Sequence, residues 1–124
     1  MKKFQIISLL SMALFLFCMN CTSKPLQDRG VKILAPKGGV VLKAGDSYEI
    51  LWKVETAESK FGTMVTIEFT KDGGESWENV QENVPNSGKY AWSLPKMGSA
   101  QCKVRVFSQH RPIYRGTSEL FSVM

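Results

Sequence analysis

From Val31 onward, apolar and polar residues alternate in short runs that glycine, aspartate and proline interrupt. Tyr48, Ile50, Trp52 and Val54 alternate with Glu49, Leu51, Lys53 and Glu55, the two-residue period of a half-buried strand. Leu51 breaks the polar side, which predicts an inner strand partly covered on its second face. Val65, Ile67 and Phe69 alternate with Thr66, Glu68 and Thr70 in the same way, and Tyr90, Trp92 and Leu94 form a third apolar face. Cys102, Val104 and Val106 form a fourth. Shorter runs at 31–36, 40–43, 76–80 and 120–123 bring the expected total to seven or eight strands. The separators are turn signals: Lys37-Gly38-Gly39, Ala44-Gly45-Asp46, Asp72-Gly73-Gly74, the stretch 81–88, and Pro95 to Gly98. The polar connection 56–62 holds one exposed-looking aromatic, Phe61. No stretch beyond the first 20 residues has helical spacing. Short strands at these intervals predict an all-β antiparallel sandwich. Trp52, Trp77 and Trp92 each stand beside a turn signal and are expected to meet in one core.

The first 20 residues follow a different pattern. Lys2 and Lys3 precede an uncharged stretch from Phe4 to Ser23, whose most apolar part runs from Ile6 to Met19. That is the length of a signal-peptide apolar region and shorter than the roughly 20 residues of a membrane span. A helical export leader over 1–20 is the expectation, with a retained anchor helix as the alternative. The polar residues 22–30, with Pro25, read as a flexible tether, and 31–124 as one domain.

Cys21 closes the apolar run and opens the tether, an arrangement that resembles bacterial lipoproteins. The resemblance implies diacylglycerol on the Cys21 thiol and cleavage just before it. The usual pattern has an aliphatic residue three positions before the cysteine and a small one immediately before; here those positions hold Cys18 and Asn20. Cys18 is the weaker acceptor, because bulky Phe17 would fill the cleavage subsite. The alternative is ordinary cleavage a few residues later, discarding Cys21. Lipidation would moor the chain, since each buried methylene contributes about 0.8 kcal/mol. The resemblance implies an exported protein on a membrane, at the outer membrane or cell surface.

Acylation of Cys21 would leave the domain with Cys102 alone, and one cysteine cannot form an internal disulfide. Sharing a face with Val104 and Val106, Cys102 is expected to be a small buried hydrophobe. Without Lys2 and Lys3 the chain keeps 14 basic and 11 acidic residues, a net charge of +3. The whole excess lies after Ser99, where Lys103, Arg105, Arg111 and Arg115 face Glu119 alone. That density is too low for a nucleic-acid partner.

Several motifs fall in order along the domain: Pro36-x-Gly38-Gly39, Ala44-Gly45-Asp46-x-Tyr48-x-Ile50-x-Trp52, Asp72-Gly73-Gly74-x-x-Trp77 and Asn86-x-Gly88-x-Tyr90-x-Trp92-x-x-Pro95. Val104-x-Val106 and Phe121-Ser122-Val123 complete the series. This pattern resembles the N-terminal domain of yeast cell-wall synthesis proteins, the Ser/Thr-rich GPI-anchored family. The resemblance covers about residues 31–124 and implies an immunoglobulin-like β-sandwich at a cell wall or surface, with no catalytic residues and no cofactor.

Thr70-x-Asp72-x-Gly74-x-x-Trp77 also resembles the Asp-box hairpin of sialidases. A single box is expected to be a turn lock. Asp72 accepts turn amides, Gly73 and Gly74 supply positive φ, and Trp77 covers the turn. A glycan-processing enzyme of sialidase type is the alternative reading that this box alone suggests. A calcium site on Asp72, Glu75 and Glu78 lacks the density of oxygen ligands that calcium requires. His110, the one histidine, has no nucleophile beside it, and no phosphate-cradling loop or metal-ligand cluster is present.

Aromatics off the core pattern are the candidate sugar contacts: Phe61, Phe107 and Tyr114. Tyr48, Trp52, Tyr90 and Trp92 are expected in the core. Phe107 shares its strand face with Lys103 and Arg105, and Arg111 and Arg115 follow in an expected loop. An aromatic among cations suits acidic glycan or lipid headgroups, with an ordinary solvated sheet face as the alternative. The functional expectation is therefore a non-enzymatic, lipid-anchored envelope module, partnered by the membrane through Cys21 and by acidic glycan or another envelope protein.

Overall fold

A computed structural model describes residues 27–124. The leader, its expected helix, Cys21 and most of the tether lie outside the described residues. Among the described residues nine strands are formed: β1 (Val31–Ala35), β2 (Val41–Leu42), β3 (Ser47–Val54), β4 (Met64–Thr70), β5 (Glu78–Pro85), β6 (Lys89–Ser93), β7 (Ser99–Ser108), β8 (Arg115–Thr117) and β9 (Phe121–Val123). One helical turn, α1 (Glu58–Phe61), joins β3 to β4. No helix among the described residues is long and apolar enough to cross a membrane.

The strands form two sheets, ordered β1-β3-β6 and β2-β9-β7-β4-β5, with β8 also paired to β7. Every pairing is antiparallel except β2 with β9. The first strand pairs with the third in one sheet, and its short continuation β2 crosses to the last strand of the other. This is an immunoglobulin-like β-sandwich.

The alternation expected for β3 holds: Ile50 and Trp52 are buried, Glu49 and Lys53 are exposed, and Leu51 is half-buried. The opposing face comes from Val65, Ile67 and Phe69 of β4 and from Cys102, Val104 and Val106 of β7, all buried. Trp92 sits between the sheets, 5.0 Å from the Phe69 ring and 6.5 Å from that of Phe121, edge-on to the latter. Trp52 is 3% exposed, and its Nε1 donates to Asn86 Oδ1 at 2.9 Å, so its polar atom is satisfied. Tyr48 and Tyr90 are half-buried at the margin of the same core.

Four sequence expectations are corrected. Phe61 is fully buried, because the turn α1 directs it into the core cluster, with its ring 6.4 Å from that of Tyr114. Its carbonyl accepts from the buried Ser108 hydroxyl. The stretch 81–85 is strand rather than turn. There β5 is an edge strand whose irregular register places Asn83 at φ 54, and Gln109 holds it with its side-chain oxygen 2.8 Å from the Asn83 amide. Polar edge residues with bulges leave no readable period.

Arg115 opens β8 rather than lying in a loop. Gly116 at its centre lets the β1 backbone approach: a Cβ there would lie 2.4 Å from the Val31 carbonyl oxygen. Finally, the end of the expected tether is bound to the domain. Arg29 and Arg115 exchange backbone hydrogen bonds, each 2.8 Å, and Gly30 accepts from the Glu55 amide. Asp28 takes the Thr117 amide at 3.0 Å and the Thr117 hydroxyl at 2.9 Å.

Candidate functional site

The outer face of the larger sheet is set by strand register. Across β4, β7 and β8, Glu68, Arg105 and Thr117 stand opposite one another, and Thr66, Phe107 and Arg115 form the next row. Their neighbours Val104 and Val106 point to the core, so the pleat sends Lys103, Arg105 and Phe107 outward. All three are half-buried. The sequence placed them together correctly, but it could not show what covers them.

The cover is Trp77. Instead of joining Trp52 and Trp92 inside, it leaves the β4–β5 turn and lies on the outer face. The Arg105 guanidinium carbon is 4.0 Å from its ring centroid. The same guanidinium is 6.0 Å from the Phe107 ring, and that of Arg115 is 5.6 Å from Phe107 on β7. The outcome is a ladder of alternating aromatic and cation, Trp77–Arg105–Phe107–Arg115. Cation–π contact contributes about 0.5–1 kcal/mol when exposed and about 2 when desolvated.

Arg105 is committed further. Its Nε and Nη2 both reach Glu68 Oε1, at 2.6 and 2.5 Å, with both side chains only about a fifth exposed. It is therefore a cross-strand strut and not a free cation, which corrects the expectation that it offers charge to a ligand. Among the described residues neither Lys103 nor Arg115 has a carboxylate within ion-pair distance. Arg111 is exposed on the β7–β8 loop and outside the ladder. A groove of about 410 Å³ runs over the ladder, lined by Gly73, Gly74, Trp77, Lys103, Arg105, Arg115 and Thr117.

The turn beside this groove is built as its sequence predicts. Asp72 Oδ1 accepts from the Thr70 hydroxyl at 2.6 Å and the Ser76 amide at 3.0 Å, while Oδ2 accepts from the Ser76 hydroxyl. Thr70 Oγ1 takes the Gly74 amide, and Trp77 Nε1 donates to the Gly74 carbonyl at 3.1 Å. Gly74 has φ 104, open to a residue without Cβ, and the indole packs over that position. These donors, the Ser76 hydroxyl first, hold the Asp72 carboxyl well below its ordinary value. Both its oxygens serve the turn. Glu78 pairs with Lys71 at 3.7 Å instead of joining Asp72.

The other candidates separate. Phe61 is internal and Tyr114 packs against the core, so neither offers a sugar platform. His110 is exposed beside Gly62 and Gln109 in the β7–β8 loop and lines no part of the ladder groove. Cys102 is fully buried, its thiol donating to the Ser99 carbonyl, and burial pushes its pKa up. No group of three or more metal-ligating side chains occurs among the described residues.

No family model matches the chain, and no curated protein matches it. Among solved structures, the fibronectin(III)-like modules of Clostridium thermocellum CbhA are similar, with a TM-score of 0.43 and 18% identity. The match covers 76% of this chain and 92% of that one.

Proposed function

We propose that this chain is a non-enzymatic module of the cell envelope, exported, moored by a lipid on Cys21, and docking an anionic partner through the outer face of its larger sheet. The observation that carries the reading is the pairing pattern on that face. Arg105 is spent on Glu68 and Trp77, while Lys103 and Arg115 border the same groove with no carboxylate of their own. Aromatic surface beside uncompensated cations suits a carboxylate, sulfate or phosphate. Arg111 adds charge from the neighbouring loop. The Asp-box carboxylate is engaged by its own turn, so it gives the sialidase-type reading no support.

Two tests address the two halves. Metabolic labelling with a fatty acid should mark the chain and fail to mark Cys21→Ser; equal labelling of both would overturn the anchor. Retention of the chain on a polyanionic support should fall with salt and with Lys103→Glu, while circular dichroism stays unchanged. Retention indifferent to both would remove the docking face.

A further inference from the structure

The anionic partner can be narrowed by where the chain enters the domain. Asp28 is fastened to Thr117 through two hydrogen bonds, and Arg29 is bridged to Arg115. Thr117 and Arg115 both line the ladder groove. The earliest residue bound to the body, among those described, is thus bound at the groove's own wall. Asp28 lies seven residue steps after Cys21, and a fully extended chain advances at most about 3.6 Å per step, or about 25 Å in all. An anchor at Cys21 therefore keeps this groove within about 25 Å of the bilayer, whatever path the linking residues take.

Charge and side-chain type agree with that position. Lys103, Arg115 and Arg29 stand at the groove and its entry, against Asp28, while Arg105 and Glu68 neutralise each other. Trp77, half-buried at the groove, has the amphipathic ring that settles at headgroup level. Attraction of basic residues to anionic headgroups decays within a Debye length, about 8 Å at physiological salt. The short linkage lets the groove come that close.

We propose that the Trp77–Arg105–Phe107–Arg115 face, with Lys103, docks flat on the anionic headgroups of the very membrane to which Cys21 is anchored. The inference rests on the anchored reading above and deepens it, naming the membrane surface as the face's partner. Docking then orients the sandwich, with the ladder sheet toward the bilayer and the β1-β3-β6 sheet away from it.

The test uses the full chain recovered from membranes. It is reconstituted in vesicles of phosphatidylcholine, or of phosphatidylcholine and phosphatidylglycerol in equal parts, with bromine-labelled acyl chains as quencher. Trp52 and Trp92 are enclosed, so lipid quenching reports Trp77, and Trp77→Phe should abolish it. Quenching is expected in the mixed vesicles and not in phosphatidylcholine alone. Lys103→Gln should lower the ratio of docked to undocked protein about fivefold, the usual contribution of one cation near such a surface. Raised salt should act likewise without any substitution.

Equal quenching in both vesicles, or none in either, overturns the proposal. So does a soluble acidic polysaccharide that shields Trp77 from iodide while phosphatidylglycerol has no effect, an outcome that assigns the face to glycan. The mass of the N-terminal peptide is read on the same sample. Acylated Cys21 without a lipid response sinks the docking alone, whereas unmodified Cys21 sinks the anchored reading and the docking with it.

Discussion

Two residues carry most of the local physics, Asp72 and Arg105. Asp72 accepts three hydrogen bonds within its own turn, and its carboxyl stays ionised in the folded chain at pH values where the unfolded chain has begun to protonate. A folded pKa below the ordinary 3.8 means that its contribution is complete above that pH and is lost as pH falls toward the lower folded value. Asp72→Asn should therefore lower the Tm by a constant amount at neutral pH, and thermal melts should show the gap closing below pH 3.8. Arg105 joins a carboxylate and a tryptophan through one planar group, which an ammonium cannot reproduce. Arg105→Lys should cost about 1–2 kcal/mol in urea unfolding. It should also shift Trp77 emission, since the guanidinium at 4.0 Å from the indole is removed.

At the scale of elements, legibility followed exposure. Strands β3, β6 and β7 have a drier and a wetter face, and their alternation reads directly from the chain; that of β4 reads equally well because its second face is polar, although Thr66 and Thr70 there are buried. The elements that were missed lack that contrast. Strand β8 has only three residues with a glycine at its centre, and β5 is a polar edge with a bulge at Asn83. The turn α1 is too short for any helical period, yet it places Phe61 in full burial. Phe61→Ala should accordingly destabilise the domain by about 3–5 kcal/mol in chemical denaturation, the usual cost of emptying a buried aromatic site. A surface aromatic would lose almost nothing, so the measurement separates the two placements.

For the molecule as a whole, stability comes from one core between two sheets, with no disulfide among the described residues and Cys102 sealed inside it. The Cys102 thiol should resist alkylation in the native state, and its labelling in urea, followed by mass spectrometry, should track global unfolding; prompt labelling of the native protein would contradict the packing. Period and turn residues were enough to determine a β-sandwich with its principal strands, the inward faces of Trp52 and Trp92, and the Asp72–Gly74–Trp77 turn. These depend on neighbours in sequence, where a two-residue pleat and a glycine's backbone freedom act locally. The tertiary structure alone decided that Trp77 turns outward onto Arg105, that Glu68 neutralises that arginine, that Arg115 reaches Phe107, and that Asp28 closes on Thr117. Each of these contacts joins residues from separate strands or from opposite ends of the domain. Sheet register and chain crossing create them, and no local pattern in the sequence records either.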